Sequence, residues 1–349
     1  RNTEFENLML EYVYSERQSG YALAVNSCAS ALSLALIAAN IDGEVLVPAF
    51  TFSATVNSVI LTGATPVFVD IESTMLGLDS NQMEASITDQ TQAILVVHLA
   101  GVICDIDAIM LIAKKYDLLV IEDCAQALGA SYKESKAGSF GDISCFSFFP
   151  TKLITTGEGG MLLTKSETIA KKARALANHG YGSSTLDREK QSKPWLREQV
   201  LAGFNFRMPN LNAALGIAQM KRIDEICNNR RTIALDIIKR INTLDGIHTF
   251  EYDERYSVYQ ALNITLGPSI DRDQFTLNLR EKGVMASVHY PEVLPHTTVF
   301  TTYNRQKQTF LAAQKIADSI VTLPLFGSMT QAQSSYVVKT ITSEIKNTH

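Results

Sequence analysis

Residues 94–121, ILVVHLAGVICDIDAIMLIAKKYDLLVI, decide the fold class. The run 94–97 is apolar throughout and of strand length. Residues 105–116 then repeat their apolar positions, Ile106, Ile109, Met110 and Ala113, along one face of a helix. A second unbroken apolar run, 118–121, follows at once. Two such runs bracketing an amphipathic helix read as parallel strands joined by a crossover, in a sheet covered on both faces. The pattern extends upstream, with strand-like runs at 22–25, 44–47 (closed by Pro48) and 66–69, and an apolar helix at 30–39. Downstream come a strand at 160–163 and a helix at 166–178. The expectation is an α/β fold with a mostly parallel sheet, which places ligands in the crevice beyond the carboxyl ends of its strands.

After this half the pattern changes. A polar, glycine-containing stretch, 179–199, is expected to be a mobile or interface loop, with Trp195 either anchoring a contact or covering a local apolar spot. A long helical pattern, 212–244, reads as the bridge into a second unit. That unit holds a strand-like run at 257–265, a helix at 272–282, a strand-like run at 284–289 and closing helices near 310–320 and 330–345. The expected division is a large domain, 1–225, and a smaller α+β domain, 226–349. No internal repeat is visible.

The bulk properties exclude several classes. With 46% hydrophobic and 19% charged residues among 349, the chain is globular rather than disordered. A net charge of −5 argues against a nucleic-acid partner. Without 18 consecutive apolar residues, no membrane span is expected. Five cysteines, an odd number with no CxxC pair, suit reduced thiols in a cytoplasm. The opening residues carry no apolar signal region.

Four segments put polar residues just past strand ends. Residues 26–30, NSCAS, are small enough for backbone N–H groups at a helix start to close on a phosphate, although a plain N-cap by Ser27 or Ser30 explains them too. Asp123 follows the strand 118–121 and is either a crevice carboxylate or a helix cap. Lys152 lies between an apolar strand and the glycine-rich turn 157–160, an unusual setting for a residue that prefers a solvated surface. A partly desolvated lysine has a lowered pKa and can act as a nucleophile toward carbonyls. The fourth segment, 203–208, is a polar–aromatic loop before the long helix.

Together these stretches resemble the DegT/DnrJ/EryC1/StrS family of sugar aminotransferases, within the type I fold of pyridoxal-phosphate enzymes. The resemblance is carried by VPAFTFSATVNSVILTGATPVFVDIE (47–72), VVHLAG (96–101), VIEDCAQALGASY (120–132), GDISCFSFFPTKLITTGEGGMLLT (141–164), GFNFRMPNLNAALGIAQM (203–220) and TLPLF (322–326), in matching order over nearly the whole chain. It implies pyridoxal 5′-phosphate as cofactor, held covalently by Lys152, with Asp123 pairing its pyridine nitrogen. Gln126 is implied at the ring's 3′-hydroxyl side and Phe52 stacked on the ring. Ser147, the backbone around Ala29 and Ser30, and Asn205 of the partner subunit are implied at the phosphate. Arg207 is implied there or at the substrate, and His289, Tyr290 and His296 near the substrate entrance. Glu158 reads equally as a substrate-site carboxylate or a turn partner. The implied activity transfers an amino group, with glutamate as donor, to a nucleotide-linked keto-sugar, in a homodimer with shared sites.

Two departures stand out. The phosphate segment reads Cys28-Ala29-Ser30, where many relatives carry a threonine near position 29. Relatives also usually begin some tens of residues earlier, so the resemblance implies a truncated or distinct start. Two alternatives are weighed. Related deoxysugar dehydratases replace the lysine by histidine, and Lys152 argues against that reading. A non-catalytic binding member would not need Lys152, Asp123, Gln126 and Ser147 together. No metal is expected: His289, Glu292 and His296 match no helical zinc spacing, and Pro291 and Pro295 interrupt the segment. No dinucleotide fingerprint follows the first strand.

Overall fold

The computed structural model describes residues 1–349 apart from 16–18, 183–194, 197, 251, 253–254, 305–307 and 349, and the backbone alone of 347–348. The strands of the first half are β1 (Tyr21–Val25), β2 (Glu44–Pro48), β3 (Thr65–Val69), β4 (Thr91–Val97), β5 (Leu119–Asp123), the short hairpin β6 (Ser131–Tyr132) and β7 (Ser135–Lys136), then β8 (Ile143–Ser147) and β9 (Gly160–Thr164). Seven of them form one sheet in the order β1-β9-β8-β5-β4-β2-β3. Pairing is parallel across β3, β2, β4, β5 and β8, and antiparallel only where β9 meets its neighbours. The apolar runs form strands because both faces are covered. Val45, Leu46, Val47, Ile94, Leu95 and Val96 are wholly buried.

Helices Cys28–Ala38, Ser53–Leu61 and Glu167–Ala177 supply apolar residues to one face of the sheet. Helices Asn2–Tyr14, Ile106–Tyr116 and Asn210–Met220 supply the other. The first of these, which the sequence reading did not identify, aligns Phe5, Met9 and Val13 toward the sheet at helical spacing. Its Phe5 ring lies 5.0 Å from Phe148, just before the turn that carries Lys152. Gly216 permits this, since a Cβ there would meet the Phe5 ring at 2.6 Å.

The C-terminal part adds β10 (Ile247–Thr249), β11 (Arg255–Tyr256), β12 (Leu262–Leu266) and β13 (Ile320–Leu323). β10, β12 and β13 form an antiparallel sheet, while β11 pairs with β6. Residues of helices Ile223–Ile241, Arg272–Glu281 and Gln331–Thr348 pack with this sheet in a third apolar cluster. The buried carboxylate of Asp70, past the end of β3, accepts N–H bonds from Ala312 and Ala313 at 2.9 Å. It thereby caps helix Leu311–Ser319 and ties it to the large sheet.

Three expectations for local structure change. The helix expected at 212–244 is two helices, broken at Lys221 and Arg222, where Arg222 adopts φ −122° and ψ 13°. Residues 284–289 make only a single bridge, Ser287 to Thr322 on the open edge of β13, and just before it a tight turn directs Ala286 N–H back to Val284 O at 2.7 Å. The closing helix stops at Ser319, and β13 begins at the next residue. The middle of the expected loop 179–199 lies outside the described residues.

Candidate active site

The ends of β1, β2, β4, β5 and β8 open on one cavity of about 560 Å³. In-register pairing of Val97 with Asp123 and of Asp123 with Cys145 sets the last residue of β5 at the cavity floor. Among the residues singled out from sequence, Ala29, Phe52, Asp123, Gln126, Ser147, Lys152, Glu158, His289 and Tyr290 line it. Ser30, Asn205, Arg207 and His296 do not.

Asp123 is 5% exposed. Its Oδ2 accepts from the Thr55 hydroxyl at 2.8 Å and its Oδ1 from the Ala125 N–H at 3.0 Å. Burial raises its pKa, and those two bonds with the nearby Lys152 charge oppose the rise. Lys152 faces the same space from a turn closed by its own N–H to Phe149 O at 2.9 Å. Burial lowers its pKa, against the pull of Asp123 and Cys28. Neither charge has an ion-pair partner among the described residues. A carboxylate and an amine, both desolvated and both unpaired, make a site that gains from a bound cation near the first and a carbonyl near the second.

At the end of β1, Ser27 caps helix Cys28–Ala38, accepting from Ser30 N–H at 3.1 Å while its Oγ lies 2.9 Å from Ser30 Oγ. Ser30 is therefore turned to its cap, and Ala31 N–H is taken by Ser27 O. The N–H groups of Cys28 and Ala29 have no acceptor among the described residues and remain for an anion. Gly160 is required alongside, because a Cβ there would sit 2.6 Å from Cys28 N. Ser147 ends β8 with its hydroxyl at the long distance of 3.5 Å from Phe149 N–H.

Phe52 is 57% exposed, its ring centroid 6.0 Å from that of Tyr290. The Gln126 amide is fixed at both ends, accepting from Ala100 N–H at 2.8 Å and donating to the Tyr290 hydroxyl at 3.0 Å. Burial raises the Tyr290 phenol and lowers the His289 imidazole, the latter helped by Lys152. The Glu158 carbonyl accepts from Thr156 Oγ1 at 2.7 Å and Asn212 Nδ2 at 2.8 Å, a turn role for the backbone. Glu158 is an exposed residue of the cavity lining.

Asn205 and Arg207 lie on an exposed segment bridged to Asn178 and Val25, and Arg207 Nη1 donates to Asn178 Oδ1 at 2.7 Å. His296 is exposed, its Nδ1 3.3 Å from Gln314 Oε1. His98 lies beneath the site, its Nε2 2.8 Å from Glu122 Oε2. Glu122 also accepts from Gly138, Phe140 and Gly141 N–H. Within the buried His98–Glu122–Cys124 group, His98 and Glu122 are thus committed to hydrogen bonds within the protein. The sequence reading missed Thr55, in the first turn of helix Ser53–Leu61, its hydroxyl 3.2 Å from that of Thr51 just before the helix. It also missed Arg230.

Residues 1–342 match the profile of the DegT/DnrJ/EryC1/StrS aminotransferase family. GDP-perosamine synthase of Escherichia coli O157:H7 is 36% identical over 341 residues, 97% of this chain and 88% of that protein. The spore coat polysaccharide biosynthesis protein SpsC of Bacillus subtilis is 34% identical over 93% of this chain and 86% of its own. Among solved structures, an aminotransferase from Psychrobacter cryohalolentis superposes with a TM-score of 0.90 at 30% identity, covering all of this chain and 92% of that one. The putative sugar aminotransferase Spr1654 from Streptococcus pneumoniae, in its PMP-form, gives 0.92 at 25% identity with the same coverage.

Proposed function

The chain belongs to the DegT/DnrJ/EryC1/StrS aminotransferase family, and on that footing we propose that it transfers an amino group from glutamate to a keto-sugar linked to a nucleotide. It is a pyridoxal-phosphate-dependent aminotransferase with the fold of that class. One observation carries the assignment of the site: Asp123 and Lys152, both desolvated and neither in an ion pair among the described residues, face one cavity at the strand ends.

The residues present fit pyridoxal 5′-phosphate. Asp123 would hold the pyridine nitrogen in its protonated form, giving this buried carboxylate an ion-pair partner. Cys28 and Ala29 N–H, Ser147, and Asn205 of the partner subunit would hold the phosphate, and the Phe52 ring would cover one face of the cofactor. When bound, the cofactor supplies an electron sink and a carrier for the amino group. Lys152 would attach it and then, once released, move a proton at its Nζ between the two carbons flanking the nitrogen. A lowered pKa serves that step, because a neutral amine is the form that accepts the proton. The aromatic side chains Phe52 and Tyr290, their ring centroids 6.0 Å apart, line the same cavity.

In this reading the large cofactor-binding domain spans 1–225 and the small domain 226–349, and two chains share their sites in a homodimer. Exposed Phe149, Phe204, Leu211 and Leu215 support a partner on that side. A cytoplasmic setting suits five free, buried cysteines, and no described helix is long and apolar enough to cross a membrane. Relatives named for perosamine and spore-coat polysaccharide support a role in supplying aminosugars for polysaccharide. The test is a screen of nucleotide-linked keto-sugars with glutamate, read from cofactor absorbance and from the aminated product. A protein that aminates none of them while carrying cofactor would refute the substrate class.

A further inference from the structure

We propose that Arg230 is the cation that receives a carboxylate of the amino donor. The inference rests on the transaminase reading above and assigns a binding group within that same cavity. Arg230 projects from helix Ile223–Ile241 into the wall of the cavity that holds Asp123 and Lys152. Its Nε donates to Tyr259 O and its Nη2 to Gln260 O, each at 2.7 Å. A guanidinium has five N–H donors. Both hydrogens of Nη1 and one of Nη2 therefore remain without a protein acceptor among the described residues. These are the adjacent donors of the Nη1/Nη2 edge, the edge that binds a carboxylate through two parallel bonds.

No carboxylate among the described residues pairs with this charge. Burial lowers the pKa to about 10, with only the Cys227 thiol acting the other way, so the group stays cationic at neutral pH. Holding an unpaired cation in a half-desolvated wall is unfavourable unless an anion arrives. Two neutral carbonyls orient the guanidinium but do not neutralise it. Of the other ionisable lining groups, Lys152 is committed to the cofactor, while Asp123 and Glu158 are acidic side chains. His289 is held toward its neutral form by burial and by Lys152. Arg230 is the fixed cation that remains among the described lining residues.

The mounting is rigid. Segment 258–261 is fastened to the turn after β4 by Val258 N–H to Gly101 O at 2.9 Å and Ala261 N–H to Ala100 O at 3.3 Å. Gly101 allows that approach, since a Cβ would lie 2.6 Å from Gln260 N. Tyr259 takes the left-handed value φ 47°, an uncommon conformation for a bulky residue. Its carbonyl is the acceptor of Arg230 Nε.

Position selects the kind of anion. Gln260, whose carbonyl holds Arg230, also donates its side-chain Nε2 to Thr151 O at 2.7 Å. Thr151 precedes Lys152, so a single residue links the guanidinium to the lysine turn. A donor amino acid carries its α-carboxylate one bond from the carbon that bears the amino group. A diphosphate on a sugar's anomeric carbon lies several bonds from any keto carbon of the ring. The link through Gln260 to the turn that carries Lys152 therefore favours the carboxylate.

Arg230→Gln keeps an amide donor for the two carbonyls and removes the charge. Holoenzyme binding of glutarate, an unreactive dicarboxylate, is measured by calorimetry, and KM is measured for glutamate and for the keto-sugar nucleotide. The expected result is an about ten- to hundredfold loss in glutarate affinity and a matching rise in glutamate KM. Cofactor content and sugar KM should stay unchanged, and Arg230→Lys should fall between. Should Arg230→Gln not fold, wild-type protein is treated with phenylglyoxal and the Arg230 peptide followed by mass spectrometry, with glutarate expected to protect it and GDP not. An unchanged glutamate KM, or GDP protection without glutarate protection, overturns the assignment. A rise confined to the sugar KM does the same by pointing to the diphosphate. Wild-type protein that accepts no amino acid donor would instead refute the proposed function, an outcome separate from these.

Discussion

Replacing Thr55 by valine tests how the site maintains its buried carboxylate. The substitution preserves shape and removes one hydroxyl. Asp123 accepts two hydrogen bonds from the protein, and the one from Thr55, at 2.8 Å, is the shorter. A hydrogen bond to a charged group contributes about 1.5–3 kcal/mol, and leaving a buried acceptor unsatisfied costs a similar amount. If that loss falls on the transition state, turnover drops roughly 10- to 150-fold. The pH dependence carries the diagnosis. Burial already raises the Asp123 pKa, and the Thr55 bond opposes the rise. Its removal raises the pKa further, so the carboxylate is lost at a higher pH as the solution is acidified. The acid limb of the kcat profile, and of the cofactor's absorbance titration, should therefore move to higher pH in Thr55→Val and return in Thr55→Ser. Stopped-flow absorbance with glutamate gives the rate, and circular dichroism checks the fold. A folded Thr55→Val protein with wild-type turnover and an unmoved acid limb would show that the hydroxyl only fills space.

Two further outcomes are expected. Asp123→Asn should leave a folded protein whose turnover falls by several kcal/mol of barrier, about a thousandfold or more, because a well-placed charge in a dry site is lost; near-wild-type turnover would reduce the residue to a helix cap. Mixing Lys152→Ala with Asn205→Asp after mild dissociation should restore about a quarter of the activity, since half the dimers pair unlike chains and each of those regains one of two sites. No recovery, despite proven exchange and an inactive Asn205→Asp homodimer, would mean that each chain builds its site alone.

The sheet was legible because its strands are buried on both faces and therefore written as unbroken apolar runs, as at 94–97 and 118–121. Helix Ser53–Leu61 was harder to see: Phe52 stands at its N-cap, with no side-chain cap to announce the start. Thr55 went unnoticed with it. The break at Lys221 and Arg222 carries neither proline nor glycine, so helical periodicity ran through it. Residues 284–289 have the composition of a strand, but the turn of Ala286 N–H onto Val284 O leaves only Ser287 to bridge β13. Lys152 and Asp123 were visible as polar residues at the ends of apolar strands. Arg230, within NNRRTIALDIIKR, has the local signature of a solvated helix face. Only the carbonyls of Tyr259 and Gln260, 29 and 30 residues later, reveal its commitment.

The central claim is that Lys152 holds the cofactor opposite Asp123. Holoenzyme reduced with borohydride, digested and mapped by mass spectrometry tests it most directly. The account predicts a phosphopyridoxyl group on the peptide containing Lys152 and nowhere else, together with loss of that label and of the visible absorbance in Lys152→Ala. A stoichiometric label on any other lysine, with Lys152 unmodified, would contradict it.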